Sequence, residues 1–241
     1  MLSVENVFKT IEEKSIIHDL CLNIQAGDNV ALIGPNGAGK TTTMKMIMGL
    51  LSMDKGRITM DGFSVRNQRK QYLNLVGYVP DEPFFYEELK GEEFLRFTAD
   101  LWGEELYVDN ENLINETIDS LDMRRFLGEK IHTYSLGMKK KLSLLIALIH
   151  QPKLLVMDEP FNGLDPMTVY AIKDYMKRYV NKGNAVLIST HMLDAAEHFC
   201  THVAILKDGH LLSYQKTKNI KKQGSETLEA YFVNLVKENE K

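Results

Sequence analysis

One stretch, Gly34-Pro35-Asn36-Gly37-Ala38-Gly39-Lys40-Thr41-Thr42, restricts the folds open to this chain more than any other. It is a glycine-rich loop that needs a buried strand before it and a helix after it. The apolar run Val30-Ala31-Leu32-Ile33 supplies the strand, and Thr41 to Leu51 reads as the helix. Glycines let successive amides turn inward around an anion without Cβ obstruction. Lys40 brings charge to the β- and γ-phosphates of a nucleotide, the Thr41 hydroxyl can coordinate Mg²⁺, and the helix aims its positive end at the anion. Asn36, Gly37, Ala38, Gly39, Lys40, Thr41 and Thr42 are therefore the candidate phosphate-binding residues.

A chain of 241 residues can bury one substantial core and a smaller appended subdomain. The 29 Lys and Arg against 33 Asp and Glu leave a formal charge of −4, with no long basic block, which weighs against a nucleic-acid backbone as the main target. Cys21 and Cys200 form no ligand cluster and fit a reduced, intracellular setting. No stretch approaches the roughly 20 apolar residues that cross a bilayer, and MLSVENVFKTIEEK has no signal-peptide core. The chain is expected to be soluble by itself and able to dock on a separate membrane subunit.

Along the chain, Val4 to Ile24 alternates in short runs that suit antiparallel strands, and Asp61-Gly62 marks a turn after Arg57 to Met60. Leu75 to Val79 reads as a strand stopped by Pro80. Glu87 to Lys130 turns mostly helical, with Phe94, Phe97 and Trp102, and is read as an insertion. A helix from about Gly137 to His150, a strand Leu154 to Met157, a helix from about Met167 to Val180 and a strand Val186 to Ile188 follow. Such alternation predicts a mainly parallel sheet between helices. Val203 to Leu206, Asp208-Gly209 and Leu211 onward form a late hairpin. Leu228, Tyr231, Phe232, Leu235 and Val236 make one apolar face of a terminal helix, which could pack on the core or on a partner.

Asp158 closes an apolar strand, so its carboxylate would emerge beside the phosphate loop, where it could hold Mg²⁺ directly or through water. Glu159 next to it could activate or orient the attacking water. An acidic pair ending a strand is also a common solvated cap. Ser135 offers a hydroxyl at the start of a helix whose first amides can meet phosphate, although SLGM alone suits a plain helix cap. His191 could donate to the γ-phosphate or align water, or be a surface residue. Lys139-Lys140-Lys141 would spread around a helix and reads as solvated.

Taken in order, these segments resemble the nucleotide-binding subunits of ABC transporters over nearly the whole chain. Gly34 to Thr42 match the Walker A loop, Leu154 to Glu159 the Walker B strand, and Ser135 to Met138 the core of the family signature. Phe161 to Pro166, with Asp165, looks like the loop that carries signals across the nucleotide dimer, and His191 matches the switch histidine. The resemblance implies a P-loop NTPase core of ABC type, with an N-terminal antiparallel β-subdomain and an inserted α-helical subdomain. The nucleotide-binding domain would span 1–218, with the insertion at about 87–135 and a helical tail at 219–241. It also implies two copies, or close relatives, facing head to tail. Walker residues of one copy and Ser135 with Gly137 of the other would then enclose one ATP.

Four positions depart from the family pattern. Leu136 stands where glycine is usual and Met138 where glutamine is frequent, and variants resembling SLGMK occur in export-type members. Asp81 occupies the place of a glutamine after the strand ending at Val79, where a shorter carboxylate could still contact metal, water or the membrane subunit. Ile11 takes the position of an aromatic side chain that stacks on adenine, which implies weaker base selectivity. The reading that follows is an ATPase, peripheral to the cytoplasmic face of the membrane, that uses ATP and Mg²⁺ to power export through separate membrane-spanning permease subunits. The alternative is a soluble ABC-type mechanical ATPase acting in translation, DNA repair or chromosome organisation.

Overall fold

A computed structural model describes residues 1–103, 111–220 and 227–239. The expected insertion and tail each run partly through 104–110, 221–226 and 240–241, which lie outside the described residues.

The N-terminal strands β1 (Leu2–Ile11) and β2 (Lys14–Ile24) pair antiparallel, and with β4 (Lys55–Met60) and β5 (Phe63–Ser64) they form a sheet in the order β2-β1-β4-β5. The second sheet contains β3 (Asn29–Ile33), β6 (Val76–Val79), β7 (Leu154–Met157), β8 (Ala185–Ser189), β9 (His202–Lys207) and β10 (His210–Lys216). Its order is β10-β9-β3-β8-β7-β6, parallel except for the edge strand β10.

Strands β3, β7 and β8 are buried at every residue, as expected of parallel strands covered on both faces. Their side chains alternate between two cores. Val30, Leu32, Leu154, Val156, Ala185 and Leu187 point toward the antiparallel sheet. Ala31, Ile33, Leu155, Met157, Val186 and Ile188 point toward the helical layer.

The helices are α1 (Lys40–Ile47), α2 (Arg69–Leu73), α3 (Gly91–Trp102), α4 (Glu111–Ser120), α5 (Leu136–Leu148), α6 (Pro166–Asn181), α7 (Leu193–Phe199), α8 (Thr217–Ile220) and α9 (Leu228–Glu238). The α/β class, the antiparallel N-terminal sheet and the helical insertion agree with the sequence reading. Helix α1 stops at Ile47 rather than continuing to Leu51. Gly49 takes a left-handed φ of 62°, and the Leu50 amide turns back to the Lys45 carbonyl at 2.8 Å. Helices α2, α7 and α8 escape the pattern because each is seven residues or shorter. Leu228 of α9 is buried, and Tyr231, Phe232 and Leu235 pack on the core. Among the described residues no helix is long and apolar enough to cross a membrane.

His150 ties three elements together. Its ring stacks on Trp102 at 4.0 Å, and Nε2 donates to the Val76 carbonyl at 3.2 Å, while buried Nδ1 has no hydrogen-bond partner. Burial pushes its pKa down from 6.5 to about 4. Above pH 6.5 neither state carries the proton. Below 6.5 the unfolded chain protonates while the folded chain resists until about pH 4, so stability falls with pH across that window. Between pH 7 and 4.5 the expected loss from this group is roughly 2–3 kcal/mol. Urea midpoints at both pH values check this: His150→Gln should lose less stability on acidification than the native chain, and equal losses would refute the assignment.

Candidate functional site

The phosphate loop connects β3 to α1, with Gly39 as the residue preceding the helix. Gly39 has φ of 104°, and a Cβ there would lie 2.5 Å from Ile17 Cδ1, so both backbone and packing require glycine. The β1–β2 hairpin thus borders the loop. Ile11 ends β1 opposite Lys14 and is 39% exposed, so it offers apolar surface but no ring.

Lys40 is buried and folds its ammonium back over the loop, donating to the Gly34 carbonyl at 2.8 Å and to the Pro35 carbonyl at 3.1 Å. Burial lowers its pKa, and the carboxylates of Glu159 and Asp158 oppose that shift. The same electrostatic coupling binds the two acidic candidates to the loop. Thr41, in the first turn of α1, is exposed. A glycine loop leading into a helix N-terminus, a lysine folded over it and the hard oxygens of Thr41 and Asp158 suit a nucleotide with Mg²⁺, which keeps water and phosphate oxygens among its ligands.

Parallel pairing sets the second wall. Met157 is level with Val79 on one side and Ile188 on the other, so Asp158 and Ser189 leave the sheet side by side at its carboxyl edge. Ligand sites in open α/β sheets gather at this edge. Asp158 is buried, and the Ser189 hydroxyl donates to its Oδ1. The same hydroxyl accepts the Glu159 amide at 2.9 Å. Ser189 therefore positions both acidic residues, a role the sequence reading missed. The available signal was a hydroxyl closing an all-apolar strand.

Glu159 sits at φ of 43°, uncommon for a side chain with a Cβ and costing on the order of 1 kcal/mol. Its Oε2 lies 3.0 Å from His191 Nδ1, the nitrogen that bears the proton when the carboxylate is ionised. With His191 59% exposed and Glu159 17% exposed, the pair stands at the rim of the site. Lys40, Asp158, Glu159 and His191 are thus brought into one cluster.

Ser135 and Gly137 are placed elsewhere. Ser135 caps α5 by accepting the Met138 amide at 3.2 Å. Gly137 abuts α6, where an added Cβ would lie 3.0 Å from Thr168 Oγ1. Asp165 caps α6, accepting the Met167 and Thr168 amides at 3.0 Å each and the Thr168 hydroxyl at 2.6 Å. The Thr168 hydroxyl bond is the chief reason its pKa is lowered. Leu136 remains 48% exposed. Among the described residues no hydrogen bond joins Ser135 or Gly137 to residues 34–42.

The lysine run departs from its solvated reading at one position. Lys140 is 2% exposed and donates to the carbonyl oxygens of Pro80 and Asp81 and to Asp81 Oδ1 at 3.2 Å. A helix presents successive residues 100° apart, so one of three adjacent lysines must face inward. Asp81 belongs to the same neighbourhood as Asp158: the two carboxylates together help raise the pKa of half-buried Tyr78 to about 12, although burial is the larger cause.

Comparison with known proteins agrees with this geometry. The family model described as ABC transporter matches residues 17–162. The uncharacterized ABC transporter ATP-binding protein YhcH of Bacillus subtilis (strain 168) is 34% identical, over 96% of this chain and 74% of its own. The lantibiotic transport ATP-binding protein SrtF of Streptococcus pyogenes is 31% identical, over 98% of this chain and 97% of its own. A solved structure of an ATP-binding subunit of an ABC transporter superposes with a TM-score of 0.89 at 33% identity, over 98% of this chain and 99% of that one. Together with the phosphate loop and the acidic edge beside it, these matches make the chain a member of the ABC transporter family, built as one of its ATP-binding subunits.

Proposed function

We propose that this chain binds and hydrolyses ATP within a head-to-tail pair of nucleotide-binding subunits, and that the cycle drives export through separate membrane-spanning permeases. The observation that carries the reading is the convergence of Lys40, Asp158, Glu159 and His191 at one sheet edge. Lys40 would hold the β- and γ-phosphates once its ammonium leaves the Gly34 and Pro35 carbonyls. Residues 36–42 would meet the phosphates with amides and hydroxyls. Thr41 and Asp158 would hold Mg²⁺, with Asp81 as a further oxygen donor. When bound, Mg²⁺ neutralises charge on the phosphates.

Glu159 would accept a proton from the attacking water, and His191, fixed through Nδ1, turns Nε2 to the γ-phosphate, to which it would donate as the doubly protonated ring. Among the described residues Ser135 and Gly137 make no hydrogen bond to residues 34–42, which supports their use by a second copy. Ile11 would bury part of the base by dispersion only.

Membrane coupling draws support from an exposed aromatic patch. Phe84 is 81% exposed, Tyr86 55% and Phe97 42%, with Tyr86 meeting both other rings at 5.9 Å. Ordered aromatic surface of this kind is costly to leave in water and suits a protein partner. The export direction rests on the SLGM and PDEP segments and on the transport of a lantibiotic named for the relative SrtF. The chain would work at the cytoplasmic face of the membrane. Affinity purification of the tagged chain from gently solubilised native membranes is expected to recover an integral-membrane protein. Recovery of none would favour a soluble mechanical ATPase.

A further inference from the structure

The connector between β6 and α3 is tied at two points to adjacent lysines of α5. At its start, Lys140 Nζ donates to Pro80 and Asp81 oxygens, and farther along Lys139 Nζ meets Glu87 Oε1 at 2.5 Å. Lysine is almost never fully buried without a partner, and its ammonium has three protons to place. Here all three acceptors come from one two-residue segment of the connector. That segment follows Val79, whose carbonyl accepts the Asp158 amide at 2.9 Å. Ser135, which caps α5, lies five positions before Lys140 in the chain. The chain of contacts therefore runs from the Ser135 end of α5, through one buried ammonium, to the acidic edge of the phosphate site.

We infer that Lys140 is a positioning residue: its ion pair with Asp81 is the strut that fixes the Ser135–Gly137 end of α5 relative to the phosphate site and so sets productive closure of the subunit pair. Nucleotide capture by the single chain would not depend on it, because the Lys140 ammonium places its hydrogen bonds on Pro80 and Asp81 and, among the described residues, none on residues 34–42. The inference rests on the ATPase reading above. Phe84 and Tyr86 protrude from the connector between its two ties, so a load applied there reaches α5 through the same lysines.

The test compares the native chain with Lys140→Met, Lys140→Arg, Asp81→Asn and the Lys140→Met/Asp81→Asn double variant. Titration with a fluorescent ATP analogue and steady-state hydrolysis are both measured. Lys140→Met should hold analogue affinity within about twofold while kcat falls about tenfold or more, since only a positioning term is lost. Lys140→Arg should recover at least about half of kcat, because the charge and donors return. The double variant should be no slower than the slower single variant, as for two residues acting as one unit.

Native kcat in Lys140→Met would overturn the inference, as would a raised KM at unchanged kcat or a double variant whose loss is the product of the singles. If Lys140→Met does not fold, Lys140→Gln and Lys140→Arg carry the test: the first must lose kcat without losing affinity and the second must stay active. A native chain that neither binds nor hydrolyses ATP would instead refute the proposed function.

Discussion

Replacing Glu159 with glutamine is expected to lower ATP turnover by about 10²–10⁴-fold, the contribution usual for a positioned general base, while ATP binding persists. Glutamine has the shape of glutamate, so the backbone at φ of 43° and the Ser189 hydroxyl on the Glu159 amide are retained. The amide group can still accept from His191 Nδ1, now 3.0 Å from Oε2. It cannot take a proton from water at neutral pH. Chemistry is thereby removed and geometry kept. Nucleotide would stay intact, and the closed pair of subunits should accumulate with ATP, visible as a doubling of mass by light scattering that ADP does not produce. Turnover at the native rate would refute Glu159 as base, and a lost ATP affinity would reassign it to binding. Ser189→Ala offers a graded comparison, since it frees Asp158 and Glu159 from their shared hydroxyl without touching either carboxylate.

Much of this site was legible in the sequence because its parts are local. A glycine loop between an apolar run and a helix states its geometry within a few residues, and the acidic pair at 158–159 ends a strand whose four residues are all buried. What the sequence hid depends on pairing between distant segments. Ser189 acquires its role only because β7 and β8 run parallel and in a register that sets Met157 against Ile188. Lys140 looks like one of three solvated lysines until α5 is packed on the connector at Pro80 and Asp81. Helix α1 is cut short by one glycine in a left-handed conformation, which periodicity cannot register. The separation of Ser135 from the phosphate loop was expected from resemblance alone. In the structure Gly137, at the signature end of α5, abuts Thr168 of α6.

Removing the Lys40 side chain should damage a different step. Its ammonium is buried, is held by the Gly34 and Pro35 carbonyls, and feels both Glu159 and Asp158. Those carbonyls occupy the place that phosphate oxygens would compete for, and the two carboxylates need a cation among them before an anion can approach. Lys40→Ala deletes one charge-assisted contact to phosphate, worth about 1.5–3 kcal/mol, which is roughly 10–100-fold in ATP affinity. It also leaves Asp158 and Glu159 to repel the nucleotide unopposed. The stabilisation that saturating ATP gives to the melting temperature should shrink accordingly. Lys40→Arg should not rescue binding, because a planar guanidinium cannot take the compact ammonium's place inside the loop. The contrast with Glu159→Gln decides the assignment: one variant must lose capture and the other chemistry. Native ATP affinity in Lys40→Ala would mean that the loop amides alone hold the phosphates and that the lysine acts after binding.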